Sequence, residues 1–165
     1  MSRLFVAVWP LEEVVEELCA LRRKDQRGVR FVRPDRWHVT LRFLGEADAG
    51  AVADALDRAP LAPTEAVLGP AVDVLADRAL VVPVAGLDEL AATVTEATRH
   101  LGDPPPRRRF VGHLTLARLK PYAHLPTTLG APVSTSFPVD EIALVQSRLD
   151  PAGARYETLH TWPTR

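Results

Sequence analysis

Lysine is nearly absent from this chain. Only Lys24 and Lys120 occur in 165 residues, so arginine supplies almost all of the 20 basic side chains. Set against 21 acidic residues this gives a formal charge of −1. That balance excludes the broad basic face of a non-specific duplex binder, while a local grip on one or two phosphates stays open. Cysteine is as scarce. The single Cys19 cannot close an internal disulfide, which fits a reducing cytoplasm, and its amphipathic surroundings read as those of a buried structural thiol. No apolar run is long enough to cross a bilayer, and the N-terminus lacks a basic-then-apolar targeting pattern. The expectation is therefore a cytoplasmic protein with no membrane partner. Nucleotide and hydrolase fingerprints are missing as well: there is no G-x-x-x-x-G-K, no G-x-G-x-x-G and no G-x-S-x-G.

What remains is an ordinary globular composition, 47% apolar and 25% charged. The length fits one domain, residues 1–165, with monomer as the default state. Residues 3–9 read as a strand. Pro10 then opens a helix over 11–25, with Val14, Leu18 and Leu21 as its apolar stripe and glutamates outside. Further helices are expected over 48–58 and 87–101. Extended segments are expected over 29–32, 37–44, 65–75, 79–84, 110–119, 133–139, 142–147 and 155–162.

One of these segments, Trp37-His38-Val39-Thr40-Leu41-Arg42-Phe43, alternates strictly between apolar and polar residues. Such alternation describes a half-buried strand, and it places His38, Thr40 and Arg42 together on the outward face. The pattern returns 75 residues later as His113-Leu114-Thr115-Leu116. From the chain's own composition the expected number of His-x-Thr-Leu is about 0.05, so two copies are not noise. Their settings match too. Trp9 precedes His38 by 29 residues and Val84 precedes His113 by 29, each across a strand and a helix. A duplicated strand-helix-strand unit with a pseudo-two-fold axis would bring both motif strands to one cleft.

A lone His-x-Thr on a strand is usually a solvated pair. Two copies in matching repeat positions suit proton transfer, because one imidazole can accept a proton while the other donates. Thr40 and Thr115 would bind non-bridging phosphate oxygens, and an arginine would neutralise developing charge. Each motif offers one imidazole with no cysteine or carboxylate at ligand spacing, so no metal and no cofactor is expected. His100, His124 and His160 lack the motif and read as structural or solvated.

These residues carry a resemblance. The two motifs HVTL and HLTL, together with RLFVAVWP, VRPDRWHVTLRFLGE, GHLTLAR and SRLDPAGARYE, resemble the 2H phosphoesterase superfamily nearly end to end. Within it they are similar to RNA 2′,3′-cyclic phosphodiesterases, also called 2′-5′ RNA ligases of the LigT/ThpR type. The resemblance implies an α+β, two-lobed, pseudo-symmetric LigT-like fold, with antiparallel sheets lining a central cleft and helices outside. It implies opening of a terminal RNA 2′,3′-cyclic phosphate to a 2′-phosphate, and 2′-5′ linkage formation in reverse. His38 would be the proton donor and His113 the acceptor. The partner would be an RNA 3′ terminus, tRNA fragments included, or a small cyclic nucleotide; 2′-5′ oligoadenylate or an RNA-end binding module are the alternatives.

Around the histidines, Arg118 follows the family pattern, but it stands at +5 from His113, where a regular strand would turn it away unless a bulge re-aims it. Arg42, at +4 from His38, lies on the site face by simple alternation. Tyr156 would approach the site or stack on a base. Gly112 stands where the family often has proline and would loosen that turn. Arg107, Arg108 and Arg109 form a run that would either steer an RNA end or stay solvated.

Overall fold

The computed structural model describes residues 1–165. Its first half contains β1 (Ser2–Val8), α1 (Glu12–Cys19), β2 (Val29–Phe31), β3 (Val39–Ala47), α2 (Ala49–Asp57), β4 (Thr64–Leu68) and β5 (Asp73–Leu75). The second half contains β6 (Ala79–Ala85), α3 (Asp88–Ala97), β7 (His113–Leu119), β8 (Thr135–Val139), β9 (Glu141–Asp150) and β10 (Gly153–Pro163). All strand pairs are antiparallel. They run in the order β10-β9-β1-β3-β7-β6-β4-β8, with β2 added beside β7 and β5 beside β6. The α+β class expected from the sequence is thus realised as a curled antiparallel half-barrel.

Both repeat units are present. β1, α1 and β3 form one, β6, α3 and β7 the other, and each unit pairs its first strand with its motif strand. The units meet at the two motif strands, which share the single pair Val39–Leu114. Beyond that pair the strands splay apart, and the splay opens a cleft on one face of the sheet. The helices cover the other face. Val14 and Leu18 of α1, Val52 and Leu56 of α2, and Leu87, Leu90 and Val94 of α3 pack there against Leu4, Val6, Val8, Leu44, Leu80 and Leu114.

Several boundaries differ from the sequence expectation. α1 stops at Cys19, well short of residue 25, because the amides of Ala20 and Leu21 bond back three residues to Glu17 and Leu18 and tighten the turn. Cys19 is exposed, one position beyond the buried Leu18, so the expected buried thiol is not found. The segment 65–75 is two strands interrupted at Gly69-Pro70. α2 follows expectation closely, since Asp48 caps it by accepting from the amides of Gly50 (2.8 Å) and Ala51 (3.3 Å). Gly112 is no slack turn: a Cβ there would run into the carbonyl of Val84, whose own amide donates to Gly112 at 3.0 Å.

The largest departure lies inside the motif strands. Ala7 pairs with Thr40 and Val6 with Arg42, so Leu41 is an extra residue on β3. Val81 pairs with Thr115 and Leu80 with Ala117, so Leu116 is extra on β7. Each bulge sits three residues after its histidine and reverses the alternation that follows, on β3 as far as Leu44, a second extra residue between the pairs Phe5–Phe43 and Leu4–Gly45. Phe43 and Arg118 therefore come to the cleft face, and Arg42 is carried to the helix face. There Arg42 is 3% exposed. It donates to the carbonyls of Phe43 (2.8 Å), Leu101 (3.1 Å) and Asp103 (2.8 Å), with longer contacts to Thr98. A cation is well placed here, because the carbonyls of Leu101 and Asp103, in the turn that follows α3, accept from no backbone amide. The expectation that Arg42 serves the cleft is corrected: it ties α3 to the sheet.

Arg42→Ala should accordingly lower unfolding free energy by about 2–4 kcal/mol, through stranded carbonyls and a cavity. Denaturant titration of the variant checks this, and an unchanged midpoint would contradict the structural role.

Candidate active site

The cleft, about 620 Å³, lies within the roughly 300–1,000 Å³ typical of ligand sites. His38, Thr40, His113, Thr115, Arg118 and Tyr156 all line it. Of the side chains expected there, Arg42 alone is elsewhere. His100, His124, His160 and the run Arg107–Arg109 are not among the lining residues. Continuing the register of the Val39–Leu114 pair sets His38 across from Thr115 and Thr40 across from His113.

Both histidines are locked the same way. Nδ1 of His38 lies 2.7 Å from the carbonyl oxygen of Arg36, and Nδ1 of His113 lies 2.7 Å from that of Val111. A carbonyl can only accept, so Nδ1 is the protonated nitrogen in each ring. Nε2 is then the atom left for proton exchange, and no carboxylate is needed to set the tautomer. His38 Nε2 lies 3.1 Å from Thr40 Oγ1, whose hydroxyl donates to it when the ring is neutral.

The two histidines differ in their walls. His38 stacks on Phe5 at 4.9 Å between centroids and meets the edges of Tyr156 (5.4 Å) and Trp9 (5.5 Å). That aromatic enclosure strips water from the ring. Burial pushes its pKa below the ordinary 6.5; the bond to Arg36 pulls it partly back, and electrostatic coupling to Arg118 and His113 pushes it further down. His38 is thus held neutral near pH 7 when no anion shares the cleft.

Charge around the cleft is one-sided. Arg3, Arg30, Arg33, Arg36 and Arg118 line it, and no Asp or Glu does. A chain with net charge −1 has gathered its arginines at one opening, which favours an anionic ligand. Phe43, 43% exposed, occupies on β3 the place that Arg118 occupies on β7, and the Arg3 guanidinium lies 5.0 Å from its ring centroid. Sequence reasoning missed Phe5, Trp9 and Phe43. The signal for the first two was available: alternation along β1 puts Arg3, Phe5, Ala7 and Trp9 on one face. No local sequence signal reveals the bulge that turns Phe43.

Two imidazoles presenting Nε2 across a carboxylate-free, arginine-lined cleft, on a sheet built from two mirrored units, define a two-histidine phosphoesterase. Comparison with known proteins agrees. Residues 8–67 match the family model of LigT-like phosphoesterases. TT0787 of Thermus thermophilus is 30% identical, with 99% of this chain and 98% of that one covered and a TM-score of 0.83. E. coli LigT, solved with 3′-AMP, is 27% identical over 99% of this chain and 98% of that one, with a TM-score of 0.80. The MHV ns2 PDE domain shares the fold at 16% identity, with 95% of this chain and 99% of that one covered and a TM-score of 0.52. No curated protein sequence matches. The chain belongs to the LigT-like phosphoesterase family.

The position of His38 has a pH consequence with a definite sign. Unfolded, its imidazole returns to its ordinary value, so between the folded and unfolded values the unfolded chain binds more protons. The stability this contributes is complete above pH 6.5 and is lost as pH falls through the folded value. An NMR titration should find His38 below 6.5 in the free protein, and His38→Asn should flatten the acid limb of the stability curve. A His38 resonance titrating at 6.5 or above would contradict the enclosure as its cause.

Proposed function

We propose that the protein hydrolyses the terminal 2′,3′-cyclic phosphate of RNA to a 2′-phosphate, with its two histidines carrying both proton transfers. The observation that supports this most is the matched pair of imidazoles, each with Nδ1 held by a carbonyl and Nε2 left for proton exchange, in a cleft that offers an anion five arginines and no carboxylate. The matching E. coli protein was solved with 3′-AMP, a nucleoside phosphate of the kind such a site would hold.

In this reading His113 Nε2 takes a proton from water as the water oxygen attacks phosphorus. His38 Nε2 gives its proton to the departing 3′ oxygen as the P–O3′ bond breaks. The Thr40 and Thr115 hydroxyls and the Arg118 guanidinium donate to the non-bridging oxygens, where negative charge grows. The donor and acceptor order follows the family resemblance. It is compatible with a neutral His38 in the free protein, because the negative charge of a bound phosphate offsets the positive charge of Arg118 and favours the protonated, donating form of His38. Exchange with solvent resets both rings after product leaves. The Tyr156 ring holds His38 from the side, through an edge contact at 5.4 Å.

The test is turnover of a short RNA ending in a 2′,3′-cyclic phosphate with EDTA present. Wild type should convert it to the 2′-phosphate, and His38→Ala and His113→Ala should each lose about 10²–10⁴ in rate while remaining folded. Retention of the RNA end without conversion would favour a binding module, and inhibition by EDTA would reject the metal-independent mechanism.

A further inference from the structure

Arg30 and Arg36 have no role in the chemistry above, and their placement is unusual. A Cβ built on Gly153 would lie 3.1 Å from Arg30 Nη2 and 3.3 Å from Arg36 Nη1. Both guanidinium groups therefore converge on one point above that glycine, at the start of β10. Gly153 has φ of +113°, a conformation other residues rarely adopt, and its missing side chain is the space the two cations share. Like charges at such a separation repel, and an acid between them would be the usual relief. None is present: the ion pairs of the chain are Arg33–Asp35, Arg99–Glu96 and Arg148–Glu157. Neither Arg30 nor Arg36 donates a side-chain hydrogen bond within the protein.

Two neighbours place this pair. Arg30 on β2 is the cross-strand partner of Arg118 on β7, so it stands immediately beside the arginine assigned to the reacting phosphate. Arg36 borders both the cleft and an adjoining groove of about 730 Å³, whose charged lining is Arg33, Arg36 and Arg155 together with Asp35 and Asp150. The pair thus lies where a ligand would continue out of the cleft. Each charge-assisted bond from a guanidinium to an oxyanion spans about 2.7–2.9 Å, so nitrogens this close can grip one phosphate together.

We infer that Arg30 and Arg36, converging over Gly153, form a second phosphate subsite that takes the internucleotide phosphate next to the reacting end. The substrate is then an oligonucleotide terminus in preference to a mononucleotide. This rests on the phosphodiesterase reading above and narrows its substrate class.

The experiment compares adenosine 2′,3′-cyclic phosphate with the adenylyl-adenosine dinucleotide bearing the same cyclic end. A third substrate is that dinucleotide with a neutral methylphosphonate linkage. Wild type should favour the charged dinucleotide in kcat/KM on the order of tenfold, the worth of one charge-assisted hydrogen bond. The preference should vanish with the neutral linkage and in the Arg30→Gln/Arg36→Gln variant. Equilibrium binding of adenosine 3′-phosphate and of the 3′-phosphorylated dinucleotide is measured alongside, with thermal unfolding as the check on folding. A dinucleotide preference that survives the double substitution or the neutral linkage overturns the subsite, as does a parallel loss on all three substrates. Absence of turnover with the binding preference intact would instead reject the phosphodiesterase reading and leave the subsite standing.

Discussion

Two extra residues, Leu41 and Leu116, decide which side chains this protein shows to a ligand. A strand exposes every second residue to the same face, and one inserted residue exchanges the faces for everything beyond it. Both motif strands carry their insertion three residues after the histidine. Up to that point the alternation serves His38 with Thr40 and His113 with Thr115. Past it, Phe43 and Arg118 turn into the cleft while Arg42 and Ala117 turn toward the helices. Without the bulge on β7 the cleft would lose Arg118, the cation whose charge acts on His38. Without the bulge on β3, the turn after α3 would lose the guanidinium that gathers its carbonyls.

The frame is symmetric and its contents are not. Spatial strand order mirrors about the Val39–Leu114 pair, with β1 and β6 as equivalent neighbours. Both histidines use the same carbonyl lock at the same 2.7 Å. Yet β1 brings Phe5 and Trp9 to His38, and β10 brings Tyr156, whereas none of the aromatic ring contacts involves His113. Acid–base chemistry needs two rings of different character, and a duplicated backbone supplies two equal ones. The difference is made by what the flanking strands place against them.

Charge is distributed on the same logic. Glu12, Glu13, Glu16 and Glu17 are spent on α1, on the far side of the sheet, and Asp48 on the cap of α2. The cleft itself is lined by five arginines and no carboxylate. A formal charge of −1 therefore hides a strong local positive field, which whole-chain composition cannot reveal.

The chain's order of elements, its repeat and its four motif residues were legible because each rests on short-range periodicity or on spacing. His38, Thr40, His113 and Thr115 share a face by alternation over three residues, a distance too short for a bulge to intervene. The helix stripes at Val14 and Leu18, and at Leu87, Leu90 and Val94, were legible for the same reason. Arg42 was misplaced and Arg118 left undecided because a bulge depends on how a strand pairs with its neighbours, which the strand's own residues do not encode. Cys19 is exposed because it stands one position off the buried stripe, next to Leu18. The enclosure of His38 joins residues 5, 9 and 156, and the meeting of Arg30 with Arg36 needs Gly153 from the opposite end of the chain. By itself the sequence determined which four motif residues share the cleft. Only the tertiary structure decided which other side chains stand beside them, because strand pairing across distant segments sets that choice.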